Sequence, residues 1–258
     1  MKLNVVPART GALWVRLGIQ AVLQQPFVMV GLFLMDWFML ALLGFIPVVG
    51  ALALVLMPAG ALGYMVVTKD LADGSLPPPR RLLAGFQQGR DRTRALLKLG
   101  LMFAALALGT LLAALTVFPA PQDAAENPIA LVLSTGYLVG TALQVPIWLL
   151  FFSAAALSHW YGIAAAKALF FSAVALWKNL GAFVVYGLGW VAVTFMASAV
   201  IALARAVVGA GPAALLSVPL MLMLAAMMLA SIYFTFRDSF SADPPGDPES
   251  LPTPGGAP

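Results

Sequence analysis

The sequence lacks cysteine and has few charged side chains. With no cysteine among its 258 residues, the chain can form no disulfide, no thiolate metal site and no cysteine nucleophile. Its single histidine, His159, is too few for a zinc site without cysteine. Charged residues are 9% of the chain, against about 25% in soluble domains, which is too few to cover a soluble surface. A soluble domain and a nucleic-acid binder are therefore excluded, despite the net charge of +4.

Long apolar runs take the place of the missing charges. Apolar side chains are 62% of the residues, and about 20 in a row suffice for a helix to cross a bilayer. The six predicted spans are residues 27–45, 48–68, 96–118, 129–157, 180–208 and 212–236. The sequence thus predicts an all-α polytopic membrane protein with a single membrane domain over residues 1–237. Residues 238–258 are rich in proline, glycine and acids, which predicts a disordered cytoplasmic tail.

Lysine and arginine are distributed unevenly between the two sides of the predicted membrane domain. An even number of spans puts both chain ends on one side, and all of the 14 basic residues except Arg205 fall on that side. Basic loops face the cytoplasm, so both termini are predicted to be cytoplasmic. Five arginines in one cytoplasmic stretch are candidate contacts for anionic phospholipid head groups. They are Arg80, Arg81, Arg90, Arg92 and Arg94.

Three cytoplasmic stretches have amphipathic patterns, and each precedes a pair of spans. They run from Thr10 to Gln25, from Arg80 to Gly89 and from Ala164 to Lys178. In the first, Arg16 and Gln20 belong to a polar face; in the third, Leu169, Ala173 and Trp177 form an apolar face. The pattern predicts helices that lie in the membrane interface. Two explanations are open: three repeats of a surface helix plus a helical hairpin, or connectors that became amphipathic independently.

Asp36 is the only acid inside a predicted span. An acid at the centre of a span costs about 2.5–3.5 kcal/mol on the insertion scale, which the apolar residues around it can offset. Such an acid is a candidate for a proton or cation relay, or else a protonated carboxyl that is hydrogen-bonded to a neighbour. Arg205 is the one candidate counter-charge in the membrane, and Gln144 belongs to the fourth span, which has the most polar side chains. Asp36, Gln144 and Arg205 are the candidate intramembrane polar site.

The fourth span also contains two glycines at the spacing of a helix-packing motif. Gly136 and Gly140 are four residues apart, so they lie on one face of a helix and let a partner helix approach closely. The same reasoning offers interhelical hydrogen bonding as the simpler role for the polar side chains of this span. The sequence therefore predicts close packing of the fourth span on a neighbour.

The first third of the chain resembles a family of proteobacterial six-span inner-membrane proteins with no assigned function. The similarity lies in Asn4 to Gly11 with Trp14, in Pro47 to Gly50, Pro58, Gly60, Gly63, Tyr64 and Met65, and in Lys69, Gly74 and Ala84 to Phe86. The rest of the chain shares only the pattern of spans. The resemblance implies an integral protein of the bacterial inner (plasma) membrane and implies no activity.

Two functions are compatible with these patterns. The first is a non-enzymatic membrane component that binds lipid, or that binds a membrane protein partner or a second copy of itself. The second is a small-solute or ion transporter or channel that uses Asp36 and the polar fourth span. No nucleophile and base have the spacing of a known catalytic pair. We therefore expect no enzymatic activity, no cofactor and no metal, and the expected surroundings are the lipid bilayer and its anionic head groups.

Overall fold

The computed structural model describes residues 2–44, 50–119, 127, 130–131 and 133–241. In these ranges the α-helices are α1 Thr10–Gln24, α2 Pro26–Gly44, α3 Gly50–Ala72, α4 Arg90–Val117, α5 Thr135–Tyr161, α6 Ala165–Lys178, α7 Leu180–Val208 and α8 Ala210–Ser239. A 3-10 helix covers Pro79–Phe86, and two short strands cover Lys2–Leu3 (β1) and Phe240–Ser241 (β2). The prediction of an all-α fold is confirmed.

Within the described ranges, six helices are long and apolar enough to cross a membrane, namely α2, α3, α4, α5, α7 and α8. Each corresponds to one predicted span, but α4 begins at Arg90 and α8 ends at Ser239, outside the apolar runs. Helical hydrogen bonding continues into the polar residues that flank a run, because arginine and lysine are good helix formers. With 30 residues, α8 is about 45 Å long, which exceeds the roughly 30 Å of the hydrocarbon core.

The first and last described residues of the chain pair with each other. β1 and β2 form an antiparallel pair in which Lys2 faces Ser241, so these two residues lie on the same side of the bundle, as an even number of spans requires. The prediction of a disordered tail from residue 238 is wrong for residues 238–241, which belong to α8 and β2. Asp238 belongs to α8, and its carboxylate accepts a hydrogen bond of 2.9 Å from Trp14 Nε1. The rest of that predicted tail, residues 242–258, lies outside the described residues.

Helix α1 packs into the protein, although the sequence predicted a helix lying in the interface. Its polar face is exposed as predicted, but its other face packs against α7 and α8, and Trp14 is fully buried there. Two glycines make the approach possible. A Cβ atom at Gly11 would lie 2.1 Å from the Ala182 carbonyl oxygen, and one at Gly18 would lie 2.4 Å from Ser231 Cβ. A hydrophobic pattern cannot distinguish a face that meets lipid from one that meets apolar helices.

The other two amphipathic stretches also differ in detail from their prediction. The buried face of α6 consists of small residues, Ala165, Ala168, Ser172 and Ala175. Two residues of the expected apolar face, Ala173 and Trp177, are exposed, Trp177 by 79%, and contact of this face with lipid stays a prediction. Small residues let α6 lie close to α5, while large apolar side chains can face lipid. The stretch from Arg80 folds as the 3-10 helix, whose Leu82 carbonyl oxygen would lie 2.1 Å from a Cβ atom at Gly63 of α3.

The short helices connect three helical hairpins into a ring. The hairpins are α2–α3, α4–α5 and α7–α8, and their second helices, α3, α5 and α8, contact one another at the centre. The 3-10 helix packs on α3, α6 packs on α5, and α1 packs on α8. Each short helix thus contacts the second helix of the preceding hairpin, with α1 closing the cycle on the last. This arrangement is the one expected of three repeated units, and common ancestry of the units stays a prediction.

Candidate functional site

Asp36 is buried at the interface between α2 and α3. It follows Met29, Leu32 and Phe33 on the buried face of α2, because positions three, four and seven residues apart share one side of a helix. Its side chain is 7% exposed. A Cβ atom at Gly60 of α3 would lie 2.9 and 3.0 Å from the two Asp36 carboxyl oxygens. The absence of a side chain at Gly60 therefore makes room for the carboxyl group.

The Asp36 carboxyl group has no hydrogen-bond or ion-pair partner within the described ranges. Asp36 interacts electrostatically with Tyr64. The Tyr64 hydroxyl already donates a hydrogen bond of 3.0 Å to the Met29 carbonyl oxygen. Leaving a buried polar group without a partner costs about 1–3 kcal/mol. A ligand that supplies a hydrogen-bond donor would recover that free energy.

Two cavities meet at Asp36. The first, of about 90 Å³, lies between α2, α3, α5 and α8. The second, of about 310 Å³, lies between α2, α3 and the 3-10 helix. The walls of the first include Phe33, Met57, Trp148, Phe152, Met228 and Ile232, and those of the second include Leu40, Leu43, Leu56, Leu82, Leu83 and Phe86. Among the described residues that line them, Asp36 is the only ionisable one. We call the two together the Asp36 cavity.

A larger groove adjoins the Asp36 cavity between α5 and α7. It encloses about 590 Å³ and shares the side chains Trp148, Phe152, Met228 and Ile232 with the first cavity. Its α7 side is mostly apolar and aromatic, with Phe195 77% exposed, and includes the two hydroxyl side chains of Thr194 and Ser198. We call this feature the α5–α7 groove. Its rim faces outward from the bundle, so in a membrane it meets lipid.

The structure does not bring the three candidate polar residues together. Gln144 Nε2 donates hydrogen bonds of 2.9 Å to the Ala107 carbonyl oxygen and 3.2 Å to Thr110 Oγ1, both on α4. Gln144 lines neither part of the Asp36 cavity. Arg205 is exposed near the end of α7 and has no ion pair in the described part of the chain. Asp36 is thus the only one of the three on the cavity.

The orientation of Gln144 follows from the packing of α5 on α4. A Cβ atom at Gly136 would lie 2.3 Å from the Phe118 carbonyl oxygen, and one at Gly140 would lie 3.4 Å from Ala114 Cβ. The predicted close packing at these two glycines is confirmed. Gln144 is four residues after Gly140, so it lies on the same face of α5 and meets α4.

The five candidate lipid-contacting arginines divide into two groups. Arg81 forms an ion pair with Asp70, with 2.6 Å from Nε to Oδ2 and 3.2 Å from Nη2 to Oδ1. Arg92 Nη1 donates a hydrogen bond of 2.8 Å to the His159 carbonyl oxygen. Arg81 therefore links the 3-10 helix to α3, and Arg92 links α4 to α5. The second group is Arg80, Arg90 and Arg94, which are exposed.

The sequence analysis did not predict which residues form the cavity together with Asp36. Gly60 and Trp148 are ordinary members of apolar spans, and their proximity to Asp36 depends on the register between helices. Gly60 follows Pro58 and Ala59 in the second span, and a glycine inside such a span is a signal for close approach of another group. That signal indicates that something approaches Gly60, but it does not identify Asp36.

Comparison with curated proteins finds a relative over almost the full chain. The chain is 35% identical over 266 residues to a probable inner membrane protein of Burkholderia thailandensis, and the alignment covers 96% of this chain and 97% of that protein. No family model matches the chain, and no solved structure matches it. The six apolar helices agree with the location that the relative's name gives. The chain is therefore a member of the same family of inner membrane proteins as the Burkholderia protein.

Proposed function

We propose that this chain is a non-enzymatic component of the bacterial inner membrane that binds a lipid-like molecule in the Asp36 cavity. The observation that carries the proposal is the Asp36 carboxyl group, which is buried without a partner among the described residues and lines two apolar cavities. Ligand pockets are typically apolar with a few polar groups that orient the ligand. Here Asp36 is that polar group, and the apolar walls favour a ligand drawn from the bilayer.

A lipid-like ligand fits better than an ion or a small polar solute. A pathway for a polar solute needs several polar side chains along one cavity. The polar side chain of Gln144 in the fourth span is directed to α4 instead. The described lining of the Asp36 cavity also offers one ionisable group, whereas a nucleophile and a general base require two. These contacts support binding over transport and over catalysis.

The basic surface supports an orientation with both chain ends in the cytoplasm. Arg80, Arg90 and Arg94 are exposed and are available to anionic head groups, each at up to about 1 kcal/mol. The pairing of β1 with β2, which brings Lys2 opposite Ser241, is consistent with this orientation. In this orientation the short helices are on the cytoplasmic side, and the basic surface faces the inner leaflet.

The test is co-purification of lipid-like molecules with the intact protein. The chain is extracted in mild detergent or nanodiscs, and bound molecules are identified by native mass spectrometry. We expect Asp36→Leu to retain at least about tenfold less of the molecule that the wild type carries. The matched control is Gly31→Ala, also on α2, because a Cβ atom there meets nothing within 4 Å. Equal retention by Asp36→Leu and the wild type would contradict the proposal.

The same preparations test the alternative functions. Reconstitution into vesicles with a proton or ion gradient measures flux directly. Flux that Asp36→Asn abolishes would favour a transporter over a lipid-binding component. Stable co-purification of a protein partner, with no dependence on Asp36, would favour a scaffold that binds another subunit or a second copy of this chain.

A further inference from the structure

We infer that the α5–α7 groove holds the hydrocarbon chain of a single-chain amphiphile whose amine or hydroxyl head binds the Asp36 carboxyl group. The inference rests on the proposed function and specifies its ligand class and its route of entry. Three independent features of the structure carry it: the dimensions of the groove, its place in the ring of hairpins, and its shared wall with the Asp36 cavity.

The groove has the length and chemistry of a hydrocarbon site. Its lining on α7 extends from Phe183 to Ser198, and these 15 residue steps correspond to about 22 Å along a helix. One leaflet of the hydrocarbon core is about 15 Å thick, so a hydrocarbon chain that spans one leaflet fits along the groove. The volume of about 590 Å³ is in the usual range of small-molecule pockets, roughly 300–1,000 Å³.

The groove is the opening in the ring of hairpins. Where the first and second hairpins meet, α3 and α4 are so close that a Cβ atom at Gly100 would lie 1.8 Å from the Val55 carbonyl oxygen. The third and first hairpins pack through α8 and α2. Between α5 and α7, a Cβ atom at Gly187 would meet nothing within 4 Å. Because this side of the bundle faces the bilayer, hydrocarbon is what fills the opening.

The groove leads to the buried acid. Trp148 and Phe152 of α5 and Met228 and Ile232 of α8 line both the groove and the first part of the Asp36 cavity. A molecule whose chain lies in the groove can therefore reach Asp36 by displacement of these side chains. The carboxyl group has no donor among the described residues, so an ammonium or hydroxyl head would pair with it. A carboxylate head would meet a like group and bind less well.

The experiment measures binding of three matched probes, dodecylamine, dodecanol and dodecanoate, to the full chain in nanodiscs, with empty nanodiscs subtracted. We expect the amine and the alcohol to bind the wild type at least about tenfold more tightly than dodecanoate. Gly187→Phe fills the groove without meeting the backbone, so it should weaken amine and alcohol binding by at least about tenfold. Gly31→Phe, which also enters open space but lines none of these cavities, should bind as the wild type does.

The outcomes separate the inference from the proposed function. If the wild type retains a lipid-like molecule that depends on Asp36 but Gly187→Phe binds the probes normally, the groove is not the chain site and the proposed function stands. If dodecanoate binds as tightly as dodecylamine, the assignment of the head group is wrong. If no probe binds and no molecule is retained, both the inference and the proposed function fail.

Discussion

Replacing Asp36 with leucine should stabilise the protein while removing its ligand. The side chain is 7% exposed, and its carboxyl group has no partner among the described residues. On the insertion scale an aspartate at the centre of a span costs about 2.5–3.5 kcal/mol, and a leucine gains about 0.3–0.6. Asp36 faces a cavity instead of pure hydrocarbon, so the lower figure for a buried unpaired group, about 1–3 kcal/mol, is the better measure. We expect the free energy of unfolding of Asp36→Leu to exceed that of the wild type by about 1–3 kcal/mol.

The assay is reversible unfolding of delipidated protein in mixed detergent micelles, with Asp36→Asn as an uncharged variant of similar size. Asp36→Leu should be more stable than the wild type without ligand, and Asp36→Asn should lie between them. Dodecylamine should reduce the difference in stability between Asp36→Leu and the wild type. It binds the folded wild type and stabilises it, whereas Asp36→Leu has lost the binding group. A loss of more than about 1 kcal/mol in Asp36→Leu would refute the reasoning, since it would reveal a structural partner for the carboxyl group.

Three further predictions concern the fold. Gly100→Ala should destabilise the protein by about 1–3 kcal/mol in the same unfolding assay, because its Cβ atom would lie 1.8 Å from the Val55 carbonyl oxygen. Gly109→Ala, on the same helix with nothing within 4 Å, should be neutral or stabilising by up to about 1 kcal/mol, and equal losses in both variants would contradict the packing. Trp14→Phe should cost about 1–3 kcal/mol, because it leaves Asp238 Oδ2 without its donor; unchanged stability would show that this hydrogen bond is unimportant. Reporter fusions to both chain ends should give cytoplasmic signals, and a periplasmic signal from either end would overturn the orientation.

The sequence predicted the helices well because helices and apolar runs have the same cause. A segment in a bilayer must satisfy its own backbone hydrogen bonds, so a run such as residues 180–208 becomes one helix, α7, with the same bounds. The polar face of α1 was also predictable, because the polar side chains of Arg16 and Gln20 cannot face an apolar neighbour.

The contacts of each helix were not predictable from the pattern. In a membrane the face that meets lipid and the face that meets protein are both apolar, so the side of α2 that carries Asp36 has no distinct signal. The hydrogen bond from Trp14 to Asp238 joins residues that are 224 positions apart. The cavity depends on the register that puts Gly60 opposite Asp36, and no local pattern encodes that register.

The position of α1 between α7 and α8 has a consequence for how the chain is made. The ribosome releases α1 before it synthesises α7 and α8, the helices that receive it. Until α7 and α8 are synthesised, α1 lacks the helices against which it packs. Its amphipathic pattern is suited to binding the surface of the bilayer during that time. Insertion of α7 and α8 then lets Gly11 and Gly18 dock, so a helix made before its partners completes the ring.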